Sequence, residues 1–181
     1  MLVVGLIGAG GSGKDTVASH LKKKYKAEEF RFSFILVKAL KLLCIKVSRK
    51  NLVWLMNTLK EKFGEDILTK AMQKAIEELS TSNMVVINGL RLPPDYIWVR
   101  GFENNAIIYL KAPAKMRWQR VCKRLEKEDD NVPFKEFQKL NSLSTEKHIK
   151  TLGKKADYII VNDGNLEDLY NKTDEIISKL L

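Results

Sequence analysis

The sequence predicts an α/β fold in which helices cover both faces of a parallel sheet. Four apolar runs, at 2–7, 84–87, 106–110 and 158–161, are short and nearly continuous, as strands buried on both faces are. Longer stretches with helical periodicity separate these runs, so strand and helix alternate along the chain. This alternation favours right-handed crossovers between parallel strands of one sheet.

The composition is that of a single folded domain. The chain has 181 residues, of which 45% are hydrophobic and 30% are charged, with only 10 Gly and 4 Pro. These values do not fit a disordered or low-complexity protein. The two cysteines, Cys44 and Cys122, lack the spacing of a metal site or a disulfide framework. The apolar N-terminal run leads straight into a glycine-rich loop, and no run reaches the roughly 18 residues of a membrane span, so we expect a cytoplasmic protein.

A fifth, weaker strand is predicted near 30–34, after the first helix. The predicted helices lie at about 14–26, 35–47, 49–62, 65–79, 113–127, 133–150 and 165–180. The helical block from 35 to 80 is too long for one crossover. We therefore expect a helical insertion over the carboxyl ends of the strands, where the clefts of such sheets lie. The polar, aperiodic segment from Lys127 to Pro133 predicts a loop.

The strongest local signal is the loop that follows the first strand. Residues 8–16 read Gly-Ala-Gly-Gly-Ser-Gly-Lys-Asp-Thr, which is Gly-x-x-x-x-Gly-Lys between a strand and a helix. Its glycines let successive N–H groups turn toward one point, and the following helix directs its positive end there. We expect this nest to hold the triphosphate of ATP, with Lys14 stabilising the charge that moves onto the leaving diphosphate. The expected binding residues are Gly8, Gly10, Gly11, Ser12, Gly13 and Lys14.

The residue after Lys14 departs from the usual loop. Asp15 stands where a Ser or Thr normally holds Mg²⁺, and Thr16 follows it. Either the Thr16 hydroxyl or the Asp15 carboxylate could meet the metal, directly or through water. We therefore expect Mg²⁺ at Asp15 and Thr16, both of which also count as ATP-binding residues.

Four further segments follow the loop in a recognisable order: Phe32–Leu40, Val85–Arg91, the arginine row from Arg117 to Arg124, and Ala156–Leu166. Together the five segments resemble small-molecule P-loop kinases, in particular phage-type deoxynucleoside monophosphate kinases and dephospho-coenzyme A kinase. The resemblance implies a P-loop three-layer sandwich with a five-stranded parallel sheet. It also implies one domain over 1–181, with a helical acceptor-binding insertion at about 35–80 and a lid at about 120–140. Such enzymes transfer the γ-phosphoryl group of ATP to an acceptor phosphate or hydroxyl.

Four arginines are candidates for binding phosphate. Arg117, Arg120 and Arg124 fall at i, i+3 and i+7, on one face of a predicted helix, and guanidinium groups suit phosphate oxygens. Arg91 follows a buried strand, so it is expected to face the cleft. We assign Arg91, Arg120 and Arg124 to the reacting phosphates and Arg117 to ATP. The alternatives are a surface stripe paired with nearby acids and, for Arg91, a structural ion pair.

The resemblance also suggests where the adenine lies and where the match fails. The turn at Asn162 and Gly164 would border the base, as the corresponding turn does in dephospho-coenzyme A kinases. Such kinases commonly carry an acid after the second strand and another at the end of the third, where this chain has Phe34 and Asn88. Neither residue can act as a base. An ionised phosphate acceptor needs little base catalysis, so these residues favour a monophosphate acceptor over a hydroxyl.

Several other polar and aromatic residues are weaker candidates. Asp95, Glu65 and Asp66 could replace the missing acids, or they could be helix caps and surface acids. His20 and His148 are expected in surface or core positions. Among the three tryptophans, Trp54, Trp98 and Trp118, only Trp118 lies beside the arginine row, where it could cover a base.

The charge distribution favours a polyanionic partner. The chain has a net charge of +10, and residues 156–181 carry only 2 basic side chains against 6 acidic ones. Our leading interpretation is an ATP- and Mg²⁺-dependent kinase of a nucleoside monophosphate or related phosphorylated small molecule. The alternatives are a catalytically impaired ATP-binding sensor or interaction protein, a dephospho-coenzyme A kinase-like enzyme, and a nucleic-acid end kinase. No nucleic-acid motif accompanies the basic charge.

Overall fold

Five parallel strands form one sheet, in the order β2-β3-β1-β4-β5. The computed structural model describes residues 1–124, 132–140 and 144–181, and it leaves out the side chains of Arg49, Leu79, Arg124, Leu140 and 144–147. The strands are β1 (Leu2–Gly8), β2 (Glu28–Phe30), β3 (Met84–Leu90), β4 (Asn105–Lys111) and β5 (Tyr158–Val161). β1 lies at the centre, in parallel register with β3 and β4. The sheet confirms the predicted fold class.

Helices cover the sheet on both faces. They are α1 (Lys14–Tyr25), α2 (Phe32–Leu42), α3 (Arg49–Phe63), α4 (Ile67–Leu79), α5 (Pro93–Arg100), α6 (Ala114–Arg124), α7 (Phe134–Leu140), α8 (Ser144–Gly153) and α9 (Leu166–Ile177). Successive strand residues point to opposite faces, so Val4 packs in the core under α1 and α9 while Val3 packs with α4, α5 and α8. A third core joins α2, α3 and the start of α4.

The second strand differs from its prediction. It spans Glu28–Phe30 rather than 30–34, and the chain is already helical at Phe32. The predicted strand was wrong because Phe30, Phe32 and Phe34 alternate like strand residues. In the structure Leu36 and Leu40 are the buried residues of α2, and Phe32 packs partly buried beside them. Phe34 consequently lies on a helix, and its side chain is 56% exposed.

Two helical assignments also change. α5 has no counterpart among the predicted helices. Its first two residues are Pro93 and Pro94, which fit the first turn of a helix because the N–H groups there have no partner within the helix. The predicted helix 133–150 corresponds to α7 and α8, on either side of 141–143. The predicted lid of about 120–140 includes residues 125–131, which lie outside the described residues. In the described ranges, no helix combines the length and hydropathy needed to cross a membrane.

Candidate functional site

The loop between β1 and α1 adopts a conformation that requires glycine. Gly11 and Gly13 have φ angles of +75° and +102°, which side-chain-bearing residues rarely adopt. A Cβ at Gly13 would lie 2.3 Å from Nδ2 of Asn162, and one at Gly11 would lie 2.6 Å from the backbone oxygen of Arg117. The residue after the last strand, Asn162, and α6 therefore pack directly against the loop.

Two side chains of the loop are buried at its centre. Lys14 is only 7% exposed, and its Nζ donates to the backbone oxygen of Ala9 over 3.2 Å. The Oγ of Ser12 is buried and has no hydrogen-bond partner among the described residues. Buried hydroxyls nearly always have a partner, and an anion bound in the loop would supply one. The loop therefore fits the triphosphate predicted for it.

A cavity of about 740 Å³ opens beside this loop. The loop and α1 contribute Gly11, Gly13, Lys14, Asp15, Thr16 and Ser19, and α6 contributes Arg120, Val121 and Lys123. Arg31 lines it from the residue after β2. The remaining lining residues are Asn162, Gly164, Asn165, Leu166, Leu169 and Tyr170. The cavity thus brings together most of the residues predicted to bind ATP.

Two carboxylates meet at one edge of the cavity, held by an amide and a guanidinium group. Nδ2 of Asn88, which is 5% exposed, donates to Oδ1 of Asp15 over 2.9 Å and to Oε1 of Glu29 over 2.7 Å. Arg31 reaches the same two acids, with 3.2 Å from Nη1 to Oδ1 of Asp15 and 2.5 Å from Nε to Oε1 of Glu29. The site therefore contains an acid on the second strand.

That acid is Glu29, which the sequence analysis missed because the resemblance places Phe34 at this position. The error follows from the misplaced second strand. β2 is a three-residue edge strand, so Glu28 and Glu29 fit it without the apolar pattern of a buried strand. The two successive acids directly before Phe30 are the only sequence signal that could have indicated it. Asn88, by contrast, joins the cluster from within β3, which continues beyond the predicted end at residue 87 to Leu90.

The arginines of α6 have different surroundings. Arg120 lines the cavity and donates to the backbone oxygen and Oδ1 of Asn162, over 3.3 and 3.2 Å. Arg117 instead donates to the backbone oxygens of Ala112 and Gly10, over 3.2 and 3.3 Å. It therefore braces the loop from outside the cavity. The side chain of Arg124 lies outside the described residues.

Other predicted residues lie away from the cavity lining. Arg91 is exposed, and its backbone N–H donates to Asp95 over 3.0 Å. Asp95 caps α5, and burial raises the pKa of its carboxyl despite hydrogen bonds from two backbone N–H groups. Glu65 and Asp66 form surface ion pairs with Lys60 and Lys70. Trp118 donates to the backbone oxygen of Val132 over 2.8 Å and packs on Phe134. None of these acids joins Asp15 and Glu29.

Asn162 and Gly164 are part of the site. Asn162 is 5% exposed, and its Nδ2 donates to the backbone oxygen of Ser12 over 2.9 Å. Gly164 lines the cavity in the turn before α9. The sequence-based assignment missed Arg31, Lys123 and Tyr170 as cavity residues. Arg31 follows an edge strand, Lys123 is one of many lysines, and Tyr170 reaches the cavity only through the packing of α9.

Related sequences align with the whole length of this chain. A UPF0200 protein of Methanocaldococcus jannaschii is 26% identical over 189 aligned positions, which cover 100% of this chain and 91% of the relative. A UPF0200 protein of Thermococcus kodakarensis is 26% identical over 187 positions, covering 99% of this chain and 100% of the relative. No protein-family model matches the sequence.

Solved structures of kinases share the fold. Shikimate kinase from Bacteroides thetaiotaomicron superposes with a TM-score of 0.66 at 12% identity, over 99% of this chain and 98% of that one. Shikimate kinase from Acinetobacter baumannii, in complex with shikimate, superposes with a TM-score of 0.54 at 20% identity, over 98% and 93%. The chain therefore has the fold of P-loop kinases. The narrower resemblance to deoxynucleoside monophosphate and dephospho-coenzyme A kinases stays a prediction.

Proposed function

We propose that the protein is a kinase that transfers the γ-phosphoryl group of ATP to a nucleoside monophosphate or a related phosphorylated small molecule. One observation carries the proposal. A glycine loop with a buried lysine and an unsatisfied buried hydroxyl opens into the same cavity as Arg31, which contacts the Asp15 and Glu29 carboxylates. A phosphate site and cations in one cavity, with Asp15 in its lining and Glu29 paired with Arg31 beside it, are groups that phosphoryl transfer uses.

The loop would hold the triphosphate. Its backbone N–H groups and the Ser12 hydroxyl would donate to phosphate oxygens, which are the partners that this buried hydroxyl lacks in the described structure. Lys14 would exchange its bond to Ala9 for a charge-assisted bond to the phosphates. Arg117 and Asn162 would keep the loop in shape through their bonds to the backbone oxygens of Gly10 and Ser12.

The acids beside the loop fit Mg²⁺. Carboxylate and hydroxyl oxygens are the ligands that this ion prefers, usually one or two carboxylates together with phosphates and water. Asp15, Glu29 and Thr16 would hold it, and Asn88 would orient both carboxylates. Bound Mg²⁺ would neutralise charge on the β- and γ-phosphates. Metal binding would also compete with Arg31 for the same two carboxylates.

An anionic acceptor suits the remaining cations of the cavity. Arg31, Arg120 and Lys123 line it in addition to Lys14. Arg31 is 42% exposed, so it can turn toward an acceptor phosphate once a metal ion engages Asp15 and Glu29. Guanidinium groups bind phosphate in a fixed fork geometry, which would position the acceptor for transfer. This arrangement supports the phosphorylated acceptor.

Glu29 favours one second candidate, a kinase of a hydroxyl acceptor. A carboxylate at the cavity edge could accept the proton of a hydroxyl group, which Phe34 and Asn88 could not do. A dephospho-coenzyme A kinase-like reaction belongs to this class. The impaired sensor loses part of its motivation, since Glu29 supplies an acid where the sequence-based alignment had none. No feature of the described residues adds support for a nucleic-acid substrate.

The test is an acceptor panel with Mg²⁺ and ATP, followed by phosphorus NMR. Transfer to a monophosphate produces the signals of a phosphoanhydride, whereas transfer to a hydroxyl produces those of a phosphate ester, so the spectrum separates the two candidates. Wild type should phosphorylate at least one nucleoside monophosphate. Lys14→Ala should lose at least about 100-fold in rate with an unchanged circular dichroism spectrum. Absence of transfer to every acceptor, or full activity of Lys14→Ala, would contradict the proposal.

A further inference from the structure

Helix α9 presents a largely apolar face to the cavity. Leu166, Leu169 and Tyr170 lie at i, i+3 and i+4, so they share one face of the helix, and all three line the cavity. Leu169 is 3% exposed, whereas Leu166 is 53% exposed. Such a surface offers a phosphate group no charge-assisted bond. A flat, uncharged ring would bury apolar area against it.

The charges around this face also disfavour an anion. The basic residues of the described cavity lining are Lys14, Arg31, Arg120 and Lys123, none of which belongs to α9. The first turn of α9 instead carries Glu167 and Asp168. Two backbone N–H groups there are also engaged, because Asn165 and Asp168 cap each other, with their N–H groups donating over 3.1 and 2.9 Å. The uncharged end of a nucleotide therefore suits α9 better than its phosphates do.

Tyr170 is supported from behind by a histidine of α1. The rings of His20 and Tyr170 are stacked, with centroids 4.2 Å apart and planes inclined by 10°. Because His20 covers one face of the tyrosine ring, a ligand in the cavity that Tyr170 lines can contact the ring only at its other face or its edge. A supported ring loses less conformational entropy when a ligand stacks on it, which favours binding.

His20 is in turn fixed by a carboxylate with several donors. Nε2 of His20 lies 2.7 Å from Oδ1 of Asp174, and the hydroxyl of Tyr25 donates to the same oxygen over 2.8 Å. Nζ of Lys24 donates to Oδ2 over 2.9 Å. The side chain of His20 is 12% exposed and that of Asp174 22%. The network ties α1 to α9 and ends at the ring that lines the cavity.

We propose that Tyr170 is the aromatic wall of a nucleobase site, and that His20, held by Asp174, is the positioning residue that orients its ring. The inference rests on the proposed function, since it takes the ligand to be a nucleoside triphosphate with its phosphates in the glycine loop. Beyond the proposed function, it identifies Tyr170 and His20 as the residues that recognise the base. A ring stacked on Tyr170 makes the protein distinguish a nucleoside triphosphate from inorganic polyphosphate.

Calorimetry with two ligands tests this role. ATP and inorganic tripolyphosphate are titrated into wild type, Tyr170→Leu, Tyr170→Phe and His20→Ala, with Glu175→Ala as a control on an exposed position of the same helix. Tyr170→Leu should weaken ATP binding by about 5- to 50-fold, as loss of one base stack does. Its affinity for tripolyphosphate should stay within about 2-fold of wild type, which is the scale of a surface substitution. Tyr170→Phe should keep both affinities because the ring remains.

His20→Ala should weaken ATP binding by a smaller factor and leave tripolyphosphate binding unchanged. A purely structural role of His20 or Tyr170 would instead weaken both ligands equally, and that result would overturn the inference. So would an unchanged affinity of Tyr170→Leu for ATP. Thermal unfolding checks that each variant is folded. Tyr170→Phe tests whether the aromatic ring is sufficient for ATP binding, because it removes only the hydroxyl group.

The wild-type titrations separate failure of the inference from failure of the proposed function. If wild type binds tripolyphosphate as tightly as ATP, the base site is overturned while the phosphate loop stands. If wild type binds neither ligand, the kinase proposal falls and the base site falls with it. If wild type binds ATP more tightly than tripolyphosphate and Tyr170→Leu loses this difference, the result supports both the base site and the kinase proposal.

Discussion

The side-chain amide of Asn162 donates a hydrogen bond of 2.9 Å to the backbone oxygen of Ser12, 150 residues earlier in the chain. Asn162 directly follows β5 and is 5% exposed. Its Oδ1 accepts from Arg120 over 3.2 Å. One side chain thus connects the last strand, the phosphate loop and α6, so the shape of the loop depends on it.

Asn162→Ala should loosen the loop, because the side-chain amide of Asn162 is bonded to the loop backbone. The buried oxygen of Ser12 loses its donor, which costs about 1–3 kcal/mol of unfolding free energy. We expect about a 10-fold loss of ATP affinity, because the loop must reorder before it binds. Urea unfolding and calorimetry measure the two effects. Asn171→Ala, on an exposed position of α9, should change neither, and equal effects of both substitutions would contradict the role of Asn162.

Gly13→Ala should destabilise the protein strongly, whereas Gly10→Ala should not. At Gly13 the φ angle of +102° costs an alanine about 1–2 kcal/mol, and its Cβ would overlap Nδ2 of Asn162 at 2.3 Å. At Gly10 no heavy atom lies within 4 Å of an added Cβ, so the unfolding free energy should change by no more than about 0.5 kcal/mol. Urea unfolding of both variants checks this.

A double-mutant cycle separates the two costs at Gly13. In an Asn162→Ala background the overlap disappears, but an alanine at residue 13 still needs a positive φ in the folded loop. Gly13→Ala should therefore cost less in that background than in wild type. An equal cost in both backgrounds would show that the contact with Asn162 contributes nothing, and a cost of Gly10→Ala as large as that of Gly13→Ala would contradict the conformational argument.

The phosphate loop and the central strands were predictable because each is encoded locally. A glycine is favoured where φ is positive, and a strand buried on both faces is largely apolar, as β1 is throughout and β3 is up to Asn88. β2 does not obey this rule, since it lies at the sheet edge and carries Glu28 and Glu29. Hydrophobic pattern alone therefore shifted it onto residues of α2.

The contacts between distant segments could not be predicted for a different reason. His20 and Asp174 are 154 residues apart, and Asn88 and Asp15 are 73 apart. Neither pair has a spacing or motif that indicates contact, since only the packing of α9 against α1 and of β3 against β1 brings them together. Residues such as Glu29 and Tyr170 gain their significance from this packing, which one sequence alone does not reveal.

Glu29→Gln should weaken Mg²⁺ binding, so that ATP binding requires a higher Mg²⁺ concentration. The substitution removes one of two negative charges at the proposed metal position, and it also removes the ion pair with Arg31. We expect the Mg²⁺ concentration for half-maximal ATP binding to rise about 10-fold or more, as measured by calorimetry at several metal concentrations. A rise in that concentration is the specific sign of a ligand role.

Glu28→Gln is the matched control for this experiment. Glu28 is the neighbouring acid of β2, but its Oε1 accepts from the backbone N–H and the hydroxyl of Thr81, over 3.1 and 3.2 Å. Its substitution should leave the Mg²⁺ requirement unchanged. If both variants shift that requirement equally, the effect would come from overall charge, and the role assigned to Glu29 would be wrong.

Asp157→Asn should reduce stability at neutral pH, and by less at pH 3. Burial raises the pKa of Asp157, but hydrogen bonds from Arg100 and from the backbone N–H of Ile107 outweigh it and hold the pKa below its ordinary value. Arg100 binds the carboxylate with both Nη atoms, over 2.8 and 2.9 Å, and the N–H of Ile107 donates over 2.7 Å. The folded protein therefore favours the ionised carboxylate.

The direction of the pH effect follows from this lowered pKa. The stabilisation by Asp157 is fully present above the unfolded-state pKa of about 3.9, and it is lost as the pH falls through the lower folded-state pKa. Because the carboxylate is partly exposed, the cost of Asp157→Asn at pH 7 should be at most about 1 kcal/mol. Urea unfolding at pH 7 and pH 3 should show the gap between wild type and variant shrinking at the lower pH. Glu103→Gln, on an exposed loop, should give no such change, and a gap that widened on acidification would reverse the sign argued for Asp157.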